Sequence, residues 1–162
     1  MDKGRNLIIP VAGRGTRLNY SSAKCLYPIN GIPILGHIIN EHFSLFEKII
    51  VVVSPQFKGE IERYLLRFKN LAEIKIILQP EPIGMADAIW RCKDILDREL
   101  TTIIWGDQAL IRKETMVNMF EELTDKNEKD YQIAIPLYEC RNPYVSYNFE
   151  GEQFISITQA RE

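Results

Sequence analysis

Short β-branched runs alternate with helix-periodic stretches along most of this 162-residue chain, and that alternation restricts its fold more than any other feature. Leu7-Ile8-Ile9-Pro10-Val11 is apolar, short and bounded by Gly4 and Gly13, the pattern of a buried parallel strand. Pro10 has no N–H to give a neighbour, so it is expected near the strand end. Ile34, Leu35, Ile38, Ile39, Phe43 and Phe46 mark one helix face after Pro33, whose fixed φ suits a first helical turn. Lys48 to Val53 then reads as a strand and Gln56 to Lys69 as a helix with Ile61, Tyr64, Leu65 and Phe68 inward. A strand over Ile74 to Leu78, a helix over Met85 to Leu96, a strand over Thr101 to Trp105 and a helix over Glu114 to Leu123 follow. This βαβα order predicts an α/β fold with a mostly parallel sheet covered on both faces, with Trp90 and Trp105 in its core. After Leu123 a further strand is expected over Tyr131 to Leu137. Pro143 to Phe149 and Phe154 to Thr158, flanking Glu150-Gly151-Glu152, read as a hairpin. No linker, repeat or low-complexity segment divides the chain, so residues 1–162 are expected to form a single domain.

In such sheets ligands bind beyond the carboxyl ends of the strands. The glycine-containing segment Ala12 to Thr16 follows the first strand, Gln79 the third, and Gly106-Asp107 the fourth, so all three fall on one edge. Gly13 and Gly15 allow backbone N–H groups to approach an anion without an intervening side chain. Thr16 adds a hydroxyl, Arg17 a planar donor fork, and Lys24 a mobile point charge. That set describes a phosphate-holding loop; the alternative is a glycine turn with two solvated arginines. A P-loop is excluded because GxxxxGK[ST] is absent. The dinucleotide fingerprint fails at Leu18, where its third glycine belongs, and Ser54-Pro55 follows the second strand in place of a ribose-binding acid.

A formal net charge of -2 provides no electrostatic footprint for nucleic acid or an anionic membrane. Cys25, Cys92 and Cys140 are scattered without a CxxC, and read as reduced, partly buried thiols. His37 and His42 lie five apart, off the spacing that brings two ligands together on a helix, so a zinc site is not expected. Without a signal peptide or a long apolar span, a soluble cytoplasmic protein is the default expectation. The residues leave self-association into a homo-oligomer open.

GRGTRL followed by AKCLYPINGIPIL resembles the signature of the nucleotidyltransferases that activate sugar 1-phosphates, written GxGTR[LM], PK, then LxPxxGxP. Gly13, Gly15, Thr16, Arg17, Leu18, Lys24, Leu26, Pro28, Gly31 and Pro33 carry the match. Gln79 with PEPIGMADAIWRC is similar to that family's base-reading loop and helix; Gly84, Ala86 and Ala88 fit, and Met85 replaces the common Thr. Ile103 to Ile111, IIWGDQALI, resembles the strand whose terminal Gly-Asp holds magnesium. In the sugar-contacting segment Val145 stands in place of a glycine and Gln159 in place of a glutamate. The resemblance covers the chain but only the N-terminal two thirds or so of the family's domain, so either a C-terminally truncated form or a compact paralogue that binds nucleotide and catalyses poorly is expected, with no residue assigned as second metal ligand.

The resemblance implies a Rossmann-like, doubly wound sheet and a transfer of nucleoside monophosphate from a triphosphate to a sugar 1-phosphate, with release of pyrophosphate. Arg17 and Lys24 would be catalytic; Ala12, Gly13, Arg14, Gly15, Thr16, Gln79 and Gly84 would bind nucleotide, with UTP or CTP preferred; Tyr144 and Gln159 would contact the sugar; Asp107 would hold Mg²⁺. Phosphocholine or a molybdopterin-type acceptor, or a non-catalytic nucleotide-binding module, are the alternatives. Asp107 as a solvated turn acid, Gln79 satisfying a loop carbonyl, Asp87 complementing a helix N-terminus and Tyr144 merely packing are the corresponding structural roles.

Overall fold

The computed structural model describes residues 4–13, 20–96, 100–124, 133–143, 145–151 and 153–159. The chain falls into two compact units, Met1–Glu114 and Thr115–Glu162.

The first unit opens with β1 (Arg5–Pro10), in which Leu7, Ile8 and Ile9 are all completely buried. Two short antiparallel strands follow, β2 (Pro28–Ile29) and β3 (Ile32–Pro33), joined by Asn30 and Gly31 at φ 51° and 80°. An Asn-Gly pair with two positive φ values is the preferred chemistry for a two-residue hairpin loop. Helix α1 (Ile34–His42) turns Ile34, Leu35, Ile38 and Ile39 inward, as its spacing requires. Strand β4 (Lys48–Val53) is buried at every residue, the mark of a central parallel strand with both faces covered. Helix α2 (Lys58–Leu65) is flanked by 3-10 turns at Pro55–Phe57 and Leu66–Phe68, so the expected Gln56–Lys69 helix is a shorter α-helix with tightened ends. Tyr64 and Phe68 stack edge to face with ring centroids 5.6 Å apart.

After β5 (Glu73–Leu78) comes α3 (Met85–Trp90), then β6 (Leu100–Ile103) and α4 (Lys113–Thr124), which crosses from the first unit into the second. The expected Met85–Leu96 helix therefore stops at Trp90 and continues as a 3-10 turn over Lys93–Ile95. The bonds from Cys92 N–H to Ile89 O and from Ile95 N–H to Cys92 O tighten the chain while keeping Ile89, Cys92 and Ile95 on one apolar side. That is why the periodicity ran on past the helix. The expected Thr101–Trp105 strand is also shifted, to Leu100–Ile103.

The main sheet has the order β5-β4-β1-β6 and every pairing is parallel. Ile8, Ile50 and Val52 pack with Ala88 and Cys92 on one face. Successive side chains point to opposite faces of a sheet, so the equally buried Leu7, Ile9, Ile49 and Val51 serve the other. The chain moves from β1 outward through β4 to β5 and then returns to the opposite side of β1 as β6. The gap between the carboxyl ends of β1 and β6 is thus the topological switch point of a doubly wound, Rossmann-like sheet. Trp90 and Trp105 are not core residues: they are 66% and 48% exposed. Trp90 lies one helical step past the inward Ala88 and Ile89, with the Lys93 ammonium 4.6 Å from its ring centroid, and Trp105 lies beyond the end of β6.

In the second unit, β7 (Val145–Glu150) and β8 (Gln153–Gln159) form the expected antiparallel hairpin, with an irregularity at Asn148/Phe149. Phe149 and Phe154 meet edge to face at 5.9 Å. The strand expected over Tyr131 to Leu137 is absent among the described residues, where Ile133 to Cys140 carry no helix or strand. Tyr131 and Gln132 lie outside the described residues; the rest of the segment alternates like a strand, but among the described residues no strand pairs with it. No helix among the described residues is long and apolar enough to cross a membrane.

Candidate active site

Beyond the carboxyl ends of β1, β5 and β6 lies a cleft of about 340 Å³, within the range of small-ligand sites. Ala12, Gly13, Lys24, Gln79, Gly84 and Asp107 all line it, so six sequence-predicted site residues from segments far apart in the chain meet in one place. Arg14, Gly15, Thr16, Arg17 and Tyr144 lie outside the described residues. Gln159 belongs to the second unit, at the exposed end of β8 opposite Val145.

Lys24 is presented by a 3-10 turn, Lys24–Leu26, whose neighbours Ala23 and Cys25 are 1% and 3% exposed. With both neighbours anchored in the core, the lysine side chain is turned out into the cleft. Ser22 Oγ donates to Glu60 of α2 at 2.6 Å and fixes the approach to the turn. Burial pushes the Cys25 thiol up to about 12 and that of Cys92 to about 11, so both stay neutral near pH 7. Cys140 is exposed, and all three cysteines are free.

Asp107 is set by Gly106. A Cβ at that glycine would run into Val11 Cγ1 and come within 3.0 Å of Pro10 O, so only glycine lets the end of β6 pass this close to the end of β1. Gln108 then closes the turn in both directions, its N–H donating to Trp105 O and its side-chain oxygen accepting from Trp105 N–H, each at 2.9 Å. Lys24 Nζ donates to Asp107 Oδ2 at 2.8 Å, bridging 83 residues of sequence. Both side chains keep about half their surface in solvent, so this pair is a poised charge couple and adds little to stability.

On the other wall, Gln79 directly follows β5 and is 4% exposed. Its Nε2 donates to Gly84 O at 2.9 Å and to Asp87 Oδ2 at 2.8 Å, and the same carboxylate oxygen accepts from Arg91 Nε at 2.7 Å. Gln79 does satisfy a loop carbonyl, and Asp87 is engaged by two side chains. Gly84 adopts φ 123°, a conformation other residues rarely reach, and this turns its carbonyl back toward Gln79. Gly13, by contrast, has no positive φ and nothing within 4 Å of a Cβ built on it; the fold itself does not require glycine there.

Among the described residues no three His, Cys, Asp or Glu groups stand close enough to form a metal cage. A lone exposed carboxylate suits magnesium, which retains waters and is held by one or two protein oxygens together with a substrate's phosphates. Sequence reasoning missed Trp105 in the cleft wall, and the Asp87-Arg91 support behind Gln79. The i,i+4 spacing of Asp87 and Arg91 was the available signal for the second.

Residues 7–153 match the MobA-like NTP transferase domain family. The bifunctional protein GlmU of Bacillus velezensis is 34% identical over 131 residues, covering 80% of this chain and 27% of that protein. GlmU of Thermodesulfovibrio yellowstonii is 34% identical over 152 residues, covering 93% and 32%. The chain thus spans about a third or less of the length of these relatives. Among solved structures, a UDP-glucose pyrophosphorylase complexed with UDP-glucose superposes with a TM-score of 0.62 at 19% identity, over 74% of this chain and 54% of that one. The inositol-1-phosphate CTP transferase from T. maritima gives 0.57 at 18% identity, over 65% and 44%. At these identities the two structures share the fold.

Proposed function

The chain belongs to the MobA-like NTP transferase domain family, and we propose that its cleft transfers a nucleoside monophosphate from a nucleoside triphosphate to a sugar 1-phosphate. A phosphate oxygen of the acceptor attacks the α-phosphorus; the new P–O bond forms as the bond to the bridging oxygen breaks, and pyrophosphate leaves with that electron pair. The observation that carries this reading is the meeting of Lys24 and Asp107 at 2.8 Å at the switch point of the sheet. A cation and an acid held together beside a glycine-containing loop suit phosphates, which need charge compensation and alignment.

The acceptor phosphate is already anionic near neutral pH, since its second ionisation lies near 6. No general base is needed, in keeping with a described cleft lining that contains no histidine and a cysteine whose thiol stays neutral. Lys24 neutralises charge at the α-phosphate or the incoming phosphate, as a mobile ammonium can. Backbone donors of Gly13 to Thr16, with the Arg17 fork, steady the β and γ phosphates. Gln79 and Gly84 face the base, and Tyr144 and Gln159 are the candidates for the sugar. Asp107 would hold magnesium, which when bound supplies further positive charge to the phosphates.

Incubating the protein with magnesium, UTP or CTP and a panel of phosphomonoesters, followed by mass spectrometry of the products, tests the proposal. A nucleoside diphosphate sugar is the expected product. A product formed only with phosphocholine or another non-sugar acceptor, or nucleotide bound without turnover, would overturn it.

A further inference from the structure

The proposed function gives the Lys24 ammonium a target but leaves open what aims it. A lysine head rides on a flexible four-carbon stem, so its reach is defined only where its backbone is held. The turn Lys24–Leu26 is short, closed by Leu26 N–H to Ala23 O at 2.8 Å and Tyr27 N–H to Lys24 O at 3.0 Å, and Ala23 at its entry has no side-chain oxygen to cap it. Two tethers hold its ends. Downstream, Ile34 N–H donates to Tyr27 O at 3.0 Å and ties the turn to the start of α1. Upstream, Ser22 Oγ donates to Glu60 Oε2 at 2.6 Å, the length of a hydroxyl bond to a carboxylate.

Both tethers lead to α2. Glu60 lies in its first turn, where the helix dipole favours negative charge, and Tyr64 follows four residues on along the same side. A Cβ at Gly36 of α1 would run into Tyr64 Oη, so glycine there leaves room for Tyr64 against α1. Ile61 and Leu65 are buried and anchor α2 in the core, yet none of its residues lines the cleft. We propose that Ser22 and Glu60 are positioning residues, through which α2 holds the Lys24 turn and sets its ammonium at the phosphate being transferred. Neither lines the cleft, so both act through the turn. A displacement near 1 Å in an aligned site costs on the order of a hundredfold in rate, and loss of one tether of two should cost roughly tenfold. The effect on turnover rests on the proposed role of Lys24, whereas the tether does not.

Two readouts separate these. Hydrogen exchange at the Leu26 and Tyr27 amides, followed by NMR, reports the turn, and pyrophosphate release reports the ammonium. Ser22→Ala and Glu60→Ala should each speed exchange at those two amides roughly tenfold while the amides of β4 keep their protection, and should lower kcat roughly tenfold at a nearly unchanged KM. Alanine is the best helix former, so the second change leaves α2 favoured. Ser22→Thr keeps a hydroxyl and Glu60→Gln keeps an acceptor oxygen, so both should recover most of each loss. In a Lys24→Met background, Glu60→Ala should lower turnover no further. Equal losses with and without Lys24, or exchange that rises as much in β4 as in the turn, would mark a merely structural bond and overturn the proposal. Unchanged exchange at Leu26 and Tyr27 in both alanine variants would overturn it as well. A wild type that releases no pyrophosphate would refute the proposed function, and the tether would then stand or fall on the exchange result alone.

Discussion

Replacing Gly106 by alanine adds one methyl group at the point where β6 passes the end of β1. The new Cβ falls inside the contact distance of Val11 Cγ1 and lies 3.0 Å from Pro10 O. Valine is stiff at χ1 and the second atom is main chain, so neither can swing aside cheaply. Overpacking of this kind costs about 1–3 kcal/mol, which for a chain of this length lowers the melting temperature by roughly 3–10 °C. The relief route is a shift of residues 105–108, and that moves Asp107 away from Lys24. A displacement near 1 Å in an aligned site costs on the order of a hundredfold in rate. Scanning calorimetry and pyrophosphate release measure the two effects. Val11→Ala in the same chain removes the Cγ1 and should return part of both losses, so the double-mutant cycle shows a favourable coupling. Wild-type stability and turnover for Gly106→Ala, or strictly additive losses in the double variant, would refute the reasoning.

Gly13→Ala should leave the melting temperature unchanged or slightly raised, because its site is open and its backbone ordinary, yet weaken triphosphate binding if the loop must approach phosphate closely; titration and calorimetry separate the two. Lys24→Met and Asp107→Asn should each reduce turnover by about 10²–10³-fold with little change in melting temperature, since both side chains are half exposed, and near-normal turnover in either would remove that residue from the chemistry. Burial holds the His42 imidazole below its usual range, partly offset by Glu41 and the Ile111 carbonyl. The unfolded chain therefore protonates first as pH falls below about 6.5, and stability should decline from there toward pH 5.5, with a flatter profile in His42→Gln. A melting temperature that rose over that interval would contradict this.

The strands and their parallel order were legible because buried parallel strands leave a plain trace: Lys48 to Val53 is buried throughout and stands at its predicted limits. The meeting of Gly13, Gln79 and Asp107 was legible for a related reason, since parallel connectivity brings every strand's carboxyl end to one edge, whereas Lys24, on a turn well past β1, was expected there from the resemblance alone. Boundaries past the helices were not. The inward face of Ile89, Cys92 and Ile95 persists from α3 into a 3-10 turn, and apolar spacing alone does not distinguish the two. Trp90 and Trp105 were misplaced because aromatic size argues for burial while position, one step around a helix and one past a strand, decides it. Ile133 to Leu137 shows the converse failure: it alternates like a strand, yet among the described residues no strand pairs with it, and alternation alone supplies no ladder. The locking of Gln79 by Asp87 depends on an eight-residue separation closed by the Gly84 turn, which no sequence periodicity encodes.

The central claim is most directly tested by pyrophosphate release from UTP and magnesium, with and without a mixture of sugar 1-phosphates, by the wild-type chain and by Lys24→Met. The account predicts release that depends on the sugar phosphate and falls by at least a hundredfold in the variant. Release that is indifferent to the acceptor, or to the loss of Lys24, would contradict it, as would no release from a chain that binds UTP.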